Sequence, residues 1–286
     1  MSRRHASPAP DEISGVDLVG IDLDGTALNG QRQMTATTRA AISLATHSGV
    51  CVIAITGRPV RECRELARLF SLDIDFVGSN GAAVWDARTG AVRRRCGFTS
   101  ADTYQLVSKL RRCSNEIRLG IVGDDVCALD MGFPEDLARA WHVEPAGCVE
   151  EAVIDLQTPD PVQKVVAWHP CGRDHAISLI RQADPSAELS FSGSDFVELT
   201  APGVHKGSAL RAVAAENGGC DLGRCAAIGD MPNDIPMLQA AGVSLAMGNA
   251  HPSVFAHALY VLPTHDSDGV AAALVAIARG KENGDR

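Results

Sequence analysis

Two aspartates separated by one residue have the spacing of a nucleophile and a proton donor. Asp22 and Asp24 stand in the segment Asp-Leu-Asp-Gly-Thr at positions 22–26, after an apolar run that begins at Val16. Gly25 allows the chain to turn, so the second carboxylate can face the same cleft as the first. One carboxylate can attack phosphorus while the other protonates the leaving oxygen. Taken alone, the segment is also typical of a strand end followed by an ordinary Asp-Gly turn.

Two further segments could bind a phosphoryl group. Thr56, Gly57 and Arg58 follow a second apolar run, and a hydroxyl with the N–H groups of a helix entrance can hold a phosphoryl oxygen. Lys206 begins a later helix, where its ammonium group could neutralise charge that develops during transfer. Taken separately, the first segment also suits a helix cap and the second an exposed lysine at a helix start.

A fourth segment, at positions 229–234, has the donor atoms of a magnesium site. Asp230, Asn233 and Asp234 follow a glycine that ends another apolar run. Mg²⁺ prefers hard oxygen ligands and takes few of them from the protein, because it retains several waters. By itself the segment is equally typical of an Asp-rich turn.

Each of the four segments ends a predicted strand or begins a predicted helix. Strands are predicted at 16–23, 50–55, 76–78, 197–199, 225–229 and 243–246, and helices at 35–49, 61–70, 206–217, 234–241 and 269–279. This alternation indicates an α/β, Rossmann-like domain with a parallel sheet and right-handed crossovers. The carboxyl ends of parallel strands meet at one edge, where ligands bind, so the four segments are expected to form one site.

The regular alternation is interrupted after Ala83. Helices are predicted at 101–112 and 174–183 and strands at 165–169 and 189–192, with turn-forming clusters between them. We therefore predict a discontinuous core domain over 16–83 and 193–280, an inserted α+β cap domain over 84–192, and a disordered arm over 1–15.

Together the four segments resemble the motifs of the haloacid dehalogenase superfamily of phosphohydrolases. Residues 79–82 (Ser-Asn-Gly-Ala), 246–250 and 268–270 further resemble its Cof-type branch, subclass IIB. The resemblance covers about residues 17–278 and includes little of the cap interior. It implies a Mg²⁺-dependent phosphatase that acts on small phosphomonoesters, sugar phosphates being within the branch's usual range.

The resemblance also implies a role for each matching residue. Asp22 would be nucleophile and metal ligand, and Asp24 would be general acid and base and would give its main-chain carbonyl to Mg²⁺. Thr56 and Lys206 would bind the phosphoryl group, and Asp230 would be the third protein ligand. The remaining matches are Asn233 and Asp234, which would anchor metal waters or the lysine, and Gly57, Arg58 and Asn80, which would contact the substrate beside the phosphate.

The inserted segment contains polar residues that could contact the rest of the substrate, because a lid covers the bound molecule and excludes water. The candidates are Arg118, Asp124, Asp125, His142, Glu144, Lys164 and His169. For each of them a solvated surface role is expected ahead of substrate contact, and the cap core is expected to hold Trp141, Trp168 and Phe191. The sequence does not identify the substrate.

Composition narrows the class of protein. The formal net charge of −9 disfavours a nucleic-acid binder, because phosphate backbones attract Lys- and Arg-rich surfaces. The nine cysteines show no CxxC pair, which favours reduced thiols and a reducing cytosol. No signal-peptide pattern occurs, and no apolar run approaches the roughly 20 residues that span a bilayer. We expect a cytoplasmic enzyme with a small phosphorylated metabolite as substrate and no nucleic-acid or membrane partner; the oligomeric state is open.

Two alternative functions remain open at this point. A phosphomutase or another phosphoryl-transfer enzyme of the same superfamily would share the motifs. A non-catalytic regulator that binds a phosphorylated metabolite could retain the fold, although all four chemical segments are intact.

Overall fold

The computed structural model describes residues 13, 15–124, 127–135, 148–149, 161–191 and 196–284. The strands are β1 (Leu18–Ile21), β2 (Cys51–Ile55), β3 (Asp75–Gly78), β4 (Ala83–Trp85), β5 (Val92–Arg95), β6 (Arg118–Val122), β7 (Cys127–Asp130), β8 (Cys148–Val149), β9 (Lys164–Trp168), β10 (Glu188–Ser190), β11 (Val197–Thr200), β12 (Cys225–Gly229), β13 (Val243–Ala246) and β14 (Tyr260–Val261). The α-helices span Ala36–His47, Val60–Phe70, Ser100–Cys113, Arg173–Ala183, Lys206–Glu216, Ile235–Ala240 and Gly269–Gly284.

Eight strands form a central sheet in the order β14-β13-β12-β1-β2-β3-β4-β5. The strands from β14 to β3 are parallel, and Ile21 at the end of β1 lies beside Ile228 of β12 and Ala54 of β2. All four residues of β1 are buried, which explains its uninterrupted apolar sequence. The central position of β1 therefore places the residue that follows it in the middle of the carboxyl edge.

Helices cover both faces of this sheet. Helices Ala36–His47, Val60–Phe70 and Gly269–Gly284 contribute to one apolar cluster, and helices Lys206–Glu216 and Ile235–Ala240 contribute to the other. Thr35 caps the first helix by accepting the N–H of Thr38, as its sequence predicts. The predicted helix and strand bounds in this domain agree to within about two residues, except that the last helix extends to Gly284.

A second sheet contains six strands in the order β10-β11-β9-β6-β7-β8. Its strands are antiparallel except for the β7–β8 pair, and helices Ser100–Cys113 and Arg173–Ala183 pack on it through a separate apolar cluster. The fold class, a parallel-sheet core with an inserted α+β unit, is confirmed.

Three strands lie in a different sheet from the one that the predicted boundaries at 84 and 193 give them. β4 and β5 extend the core sheet, because β4 turns back through residues 79–81 and pairs antiparallel with β3. β11 belongs to the second sheet, because it pairs with both β9 and β10 and its apolar side chains enter the cap cluster. Within the predicted arm, residues 1–12 and 14 lie outside the described residues, and Ile13 is buried in the core.

In the described part of the chain, no helix combines the length and the apolar character needed to cross a membrane.

Candidate active site

Three carboxylates meet at the carboxyl edge of the two central strands. Asp22 directly follows β1 and Asp230 directly follows its parallel neighbour β12, so the strand pairing brings the two side chains together. Asp234 joins them from the short helical turn Pro232–Asp234. One carboxylate oxygen from each residue lies within 4.8 Å of the others, and all three residues are buried.

The ammonium group of Lys206 bridges two of these carboxylates. Its Nζ donates to Asp22 Oδ1 at 2.5 Å and to Asp234 Oδ1 at 2.6 Å, and the residue is 1% exposed. Burial alone would lower the pKa of Lys206, but the two carboxylates outweigh it and raise the pKa above its usual value. The lysine is therefore held charged beside Asp22.

Glycine allows the helix of Lys206 to approach this closely. A Cβ atom at position 207 would lie 2.3 Å from the carbonyl oxygen of Pro236, far inside contact distance. The residue after Lys206 must therefore lack a side chain if the two helices are to keep this separation.

Asp234 organises the loop that carries Asp230. Its Oδ2 accepts the main-chain N–H groups of Asp230 at 3.0 Å and Met231 at 2.9 Å, while its Oδ1 accepts from Lys206. Both oxygens of Asp234 are thus engaged in holding the loop and the lysine.

The buried charges do not balance. Three carboxylates face one ammonium group, and burial raises the pKa of Asp22 despite the opposing effect of Lys206. Burial, reinforced by Asp234, also raises the pKa of Asp230 to about 6. A divalent cation would offset this excess of negative charge, and buried carboxylate oxygens are the donors that Mg²⁺ prefers. The residues present therefore fit the predicted magnesium site.

The position of the Asp230 carboxylate depends on its neighbours in the first motif. Thr26 Oγ1 donates to Asp230 Oδ1 at 3.0 Å. Gly25 has a φ of +76°, and a Cβ at that position would lie 2.3 Å from Asp230 Oδ2. Glycine is thus required both for the backbone conformation and for the space that the carboxylate occupies.

Asp24 lies at the mouth of the site and is held by Arg58. The Nε and Nη2 atoms of Arg58 each donate to one oxygen of Asp24 at 2.6 Å, which is a bidentate contact. Nη1 of Arg58 donates to Glu62 Oε2 at 2.9 Å. Burial raises the pKa of Glu62, and the sequence reasoning did not identify this residue. Its position four residues after Arg58, in the first turn of helix Val60–Phe70, was the available signal.

The second motif lies across from these carboxylates. Thr56 directly follows β2, is 1% exposed, and accepts the N–H of Arg58 through Oγ1 at 3.2 Å. Thr56 and Gly57 line the same cavity as Asp22. The hydroxyl is therefore placed near the predicted nucleophile.

A cavity of about 360 Å³ opens over these residues. Six of the predicted site residues line it, namely Asp22, Asp24, Thr56, Gly57, Arg58 and Asn233. Further lining residues that the sequence reasoning did not identify are Asn29, Arg32, Glu62, Phe196, Glu198 and His265. The signal for Glu198 is a charged residue within the otherwise apolar strand β11.

Lys164 does not have the expected solvated surface role. It is 3% exposed, lines the cavity, and donates to Glu198 and to the carbonyl oxygen of Gly57, the latter at 2.8 Å. The other described cap candidates do not line this cavity: Asp124 binds Arg95, Arg118 binds main-chain carbonyls, and His169 is buried beside Ser114. The remaining candidates lie outside the described residues, namely Asp125, His142, Glu144 and Trp141.

Asn80 lies behind the cavity wall. It is 2% exposed, and its amide contacts Glu198 at 3.0 Å and Asn233 at 3.1 Å. It is not among the residues that line the 360 Å³ cavity.

The sequence is similar to a known protein family and to characterised relatives. Residues 19–274 match the family described as haloacid dehalogenase-like hydrolase. The chain is 30% identical over 260 residues to the 5-amino-6-(5-phospho-D-ribitylamino)uracil phosphatase YcsE of Bacillus subtilis, a match that covers 91% of this chain and 94% of that protein.

Two solved structures share the fold. A haloacid dehalogenase-like hydrolase from B. subtilis has a TM-score of 0.79 at 22% identity, and the match covers 91% of this chain and 99% of that structure's chain. The subclass IIB sugar phosphatase BT4131 has a TM-score of 0.76 at 20% identity, with coverage of 91% and 98%. At these identities the two structures bear on the fold alone.

Proposed function

This chain belongs to the haloacid dehalogenase-like hydrolases and is a phosphoric monoester hydrolase; we propose that it is of the Cof-type subclass IIB that its motifs predict and that it works through a covalent phosphoaspartate on Asp22. The observation that carries this proposal is the buried contact of Lys206 with both Asp22 and Asp234. A fixed cation beside the nucleophile is what phosphoryl transfer requires, because the reaction depends mainly on positioning and charge neutralisation.

In the proposed reaction each residue acts from the position described above. The Asp22 carboxylate attacks phosphorus while the hydroxyl of Thr56 and the ammonium group of Lys206 bind phosphoryl oxygens. Asp22, Asp230 and the main-chain carbonyl of Asp24 would hold Mg²⁺, which when bound would screen Asp22 from the anionic substrate.

Asp24 is proposed as the general acid and base. Its carboxyl group, protonated in the first step, gives its proton to the leaving oxygen, and the carboxylate so formed takes a proton from the attacking water in the second step. The bidentate contact with Arg58 holds this side chain, 45% exposed, at the cavity mouth in the ionised form, so one of its two bonds must open when Asp24 carries the proton. The alcohol leaves in the first step; in the second, water attacks phosphorus and the bond from phosphorus to Asp22 breaks, which releases phosphate and restores the Asp22 carboxylate and the protonated Asp24.

A small phosphorylated metabolite with polar groups beyond the phosphate suits the cavity. Its volume is about 360 Å³, and its wall carries charged side chains of both signs, including Arg32, Arg58 and Glu62. Such a wall can pair with hydroxyl groups through donors and acceptors alike. We therefore propose small sugar or polyol phosphates; the relative YcsE is named as a phosphatase of 5-amino-6-(5-phospho-D-ribitylamino)uracil, which carries a phosphorylated ribityl chain.

Phosphate release from a panel of monoesters, with Mg²⁺ and with EDTA, tests the proposal. The wild-type protein is expected to require the metal, Asp22→Asn to abolish turnover, and Asp24→Asn to slow hydrolysis of the intermediate strongly. Asp221→Asn is the matched control, because Asp221 caps a short turn before the opposite end of β12 and should leave turnover unchanged. Steady-state turnover by purified Asp22→Asn protein would refute the mechanism.

The same panel separates the alternatives. A phosphomutase would need a bisphosphate activator and would not release free phosphate steadily. A binding-only regulator would bind phosphomonoesters without turning them over.

A further inference from the structure

A chain of buried hydrogen bonds connects the cap to the catalytic loop. It starts at Lys164 on β9, which contacts Glu198 on the neighbouring strand β11. Glu198 Oε2 accepts from Asn80 Nδ2 at 3.0 Å, and Asn80 Oδ1 accepts from Asn233 Nδ2 at 3.1 Å. All four residues are less than 8% exposed. The two charged members come from the cap sheet and the two amides from the core.

The chemistry of the side chains fixes the direction of every bond in this chain. Lys164 can only donate, and the ionised carboxylate of Glu198 can only accept. Asn80 must therefore turn its NH₂ group towards Glu198, which leaves its oxygen for the next residue. Asn233 must consequently donate its own NH₂ group to Asn80. The ion pair in the cap thus determines which way an amide in the catalytic loop faces.

The atom left over at the end of the chain is an acceptor. Asn233 Oδ1 is buried and has no hydrogen-bond partner among the residues that the structure describes. Asn233 stands between Asp230 and Asp234 in the sequence, and it lines the cavity. A buried oxygen without a partner costs free energy, so a bound molecule with an O–H group would be stabilised there. That molecule is either a water held in the site or a hydroxyl of the substrate.

The backbone at Asn80 indicates that this arrangement is maintained against strain. Ser79 and Asn80 both have positive φ values, 50° and 56°, which non-glycine residues rarely adopt. Side-chain contacts to the cap hold them there, since Ser79 Oγ donates to Gln163 at 2.7 Å and Asn80 donates to Glu198. Strain of this kind persists where surrounding contacts determine the conformation.

We propose that Lys164, Glu198 and Asn80 are positioning residues for the phosphatase reaction, which orient the amide of Asn233 so that its oxygen accepts from an O–H group in the cavity. The inference rests on the proposed function, because it assigns this role to a loop of the same site. It gives the cap a specific physical role, which is to determine whether the oxygen or the NH₂ group of the Asn233 amide faces the cavity.

Replacing one charge by an isosteric amide is expected to reverse the chain. In Glu198→Gln the new oxygen must face Lys164, so its NH₂ group faces Asn80. Asn80 then turns over, Asn233 follows, and an NH₂ group replaces the acceptor at the cavity. We expect kcat/KM to fall about tenfold, the effect of one lost hydrogen bond.

A second substitution should restore the original direction. In the double variant Lys164→Met/Glu198→Gln no ammonium group donates to the glutamine oxygen, so this oxygen can again accept from Asn80. The double variant is therefore expected to recover most of the activity that Glu198→Gln loses. If Lys164 and Glu198 only contacted the substrate or filled the cavity wall, the double variant would be at least as impaired as Glu198→Gln, because it lacks two of these groups and Glu198→Gln lacks one.

Kinetics of both variants, with ribose 5-phosphate and acetyl phosphate as substrates, test the proposal. Loss and recovery with both substrates would support it and identify the donor as water; loss and recovery with ribose 5-phosphate alone would support it and identify a substrate hydroxyl. The rise in unfolding temperature on addition of Mg²⁺ and inorganic phosphate gives a second readout: it should be smaller in Glu198→Gln and restored in the double variant if the donor is water, and unchanged in both if the donor is a substrate hydroxyl.

Asp130→Asn is the matched control, because Asp130 is a buried cap carboxylate that binds Arg111 and the N–H of Leu119 outside the cavity. Its kcat/KM should equal that of the wild type. An unchanged Glu198→Gln enzyme overturns the proposal, and so does a folded double variant whose kcat/KM stays about tenfold below that of the wild type; the second outcome can be measured even if Glu198→Gln alone fails to fold. Absence of phosphate release by the wild-type protein in the same assay would instead refute the proposed function.

Discussion

Replacement of Lys206 by Met should affect both stability and turnover. The substitution removes the ammonium group that contacts Asp22 and Asp234 and leaves three buried carboxylates within 4.8 Å of one another. Breaking a buried ion pair by removing one partner costs about 3–5 kcal/mol. At about 2–4 °C per kcal/mol, the metal-free variant should unfold roughly 6–20 °C below the wild type.

Addition of Mg²⁺ should reverse part of this loss. A divalent cation at Asp22 and Asp230 supplies positive charge that the variant lacks, so Mg²⁺ should raise its unfolding temperature more than it raises that of the wild type. Turnover should remain lower by about 10²–10³-fold even with saturating metal, because a fixed charge that faces the transferred phosphoryl group is absent.

Thermal unfolding followed by circular dichroism, in EDTA and in Mg²⁺, together with phosphate release, measures these effects. Lys109→Met is the matched control, since Lys109 is an exposed cap lysine whose Nζ donates to the carbonyl oxygen of Asp184. Its stability should change by no more than about 0.5 kcal/mol. A Lys206→Met protein that unfolds at the wild-type temperature in EDTA would show that the carboxylates are not crowded as described.

Two further substitutions test other parts of the structure. Asp17→Asn should lower stability by about 1 kcal/mol near neutral pH, because Arg224, followed by Lys281, lowers the pKa of Asp17 to about 2. The lowered pKa of Asp17 stabilises the fold at pH values above the ordinary carboxyl pKa, and this stabilisation is lost as the pH falls from about 4 to about 2. The free energies of unfolding of variant and wild type, measured with urea, should therefore converge over that range. A difference that stays constant would contradict this cause. Gly25→Ala should raise the Mg²⁺ concentration for half-maximal activity by about tenfold or more, because the added Cβ would displace the Asp230 carboxylate. Gly90→Ala is its control, having a similar φ of +72° with no atom near the added Cβ, and an equal change in both would attribute the effect to backbone strain.

The core of the fold could be predicted from local patterns because its strands are short apolar runs with abrupt polar ends. The strands at 225–229 and 243–246 were predicted with the bounds that they have in the structure. The same abrupt ends carry Asp22, Thr56 and Asp230, so a correct strand prediction also located the site. Parallel pairing then brings these residues together without further information.

The cap boundaries and the buried ion pair could not be predicted in the same way. Lys164 and Glu198 each appear as one charge within an apolar strand, which is also the pattern of an edge strand with a solvated side chain. Their contact depends on the antiparallel register of β9 and β11, in which Val166 lies opposite Glu198. That register is a long-range property of two strands separated by a helix and by β10, and no local pattern encodes it.

The connection between the two sheets explains why the cap can influence a reaction that occurs on the core. β11 ends at Thr200, only a few residues before Lys206, and the intervening turn is closed by a bond of 2.6 Å from Thr200 Oγ1 to the carbonyl of Val204. Gly203, with a φ of +74°, provides the one conformation in this turn that other residues rarely adopt. A displacement of β11 would therefore pull on the start of the helix that carries Lys206 and at the same time separate Glu198 from Asn80. Both effects act on groups around Asp22, so the position of the cap and the electrostatics of the proposed nucleophile are mechanically linked by five residues of chain.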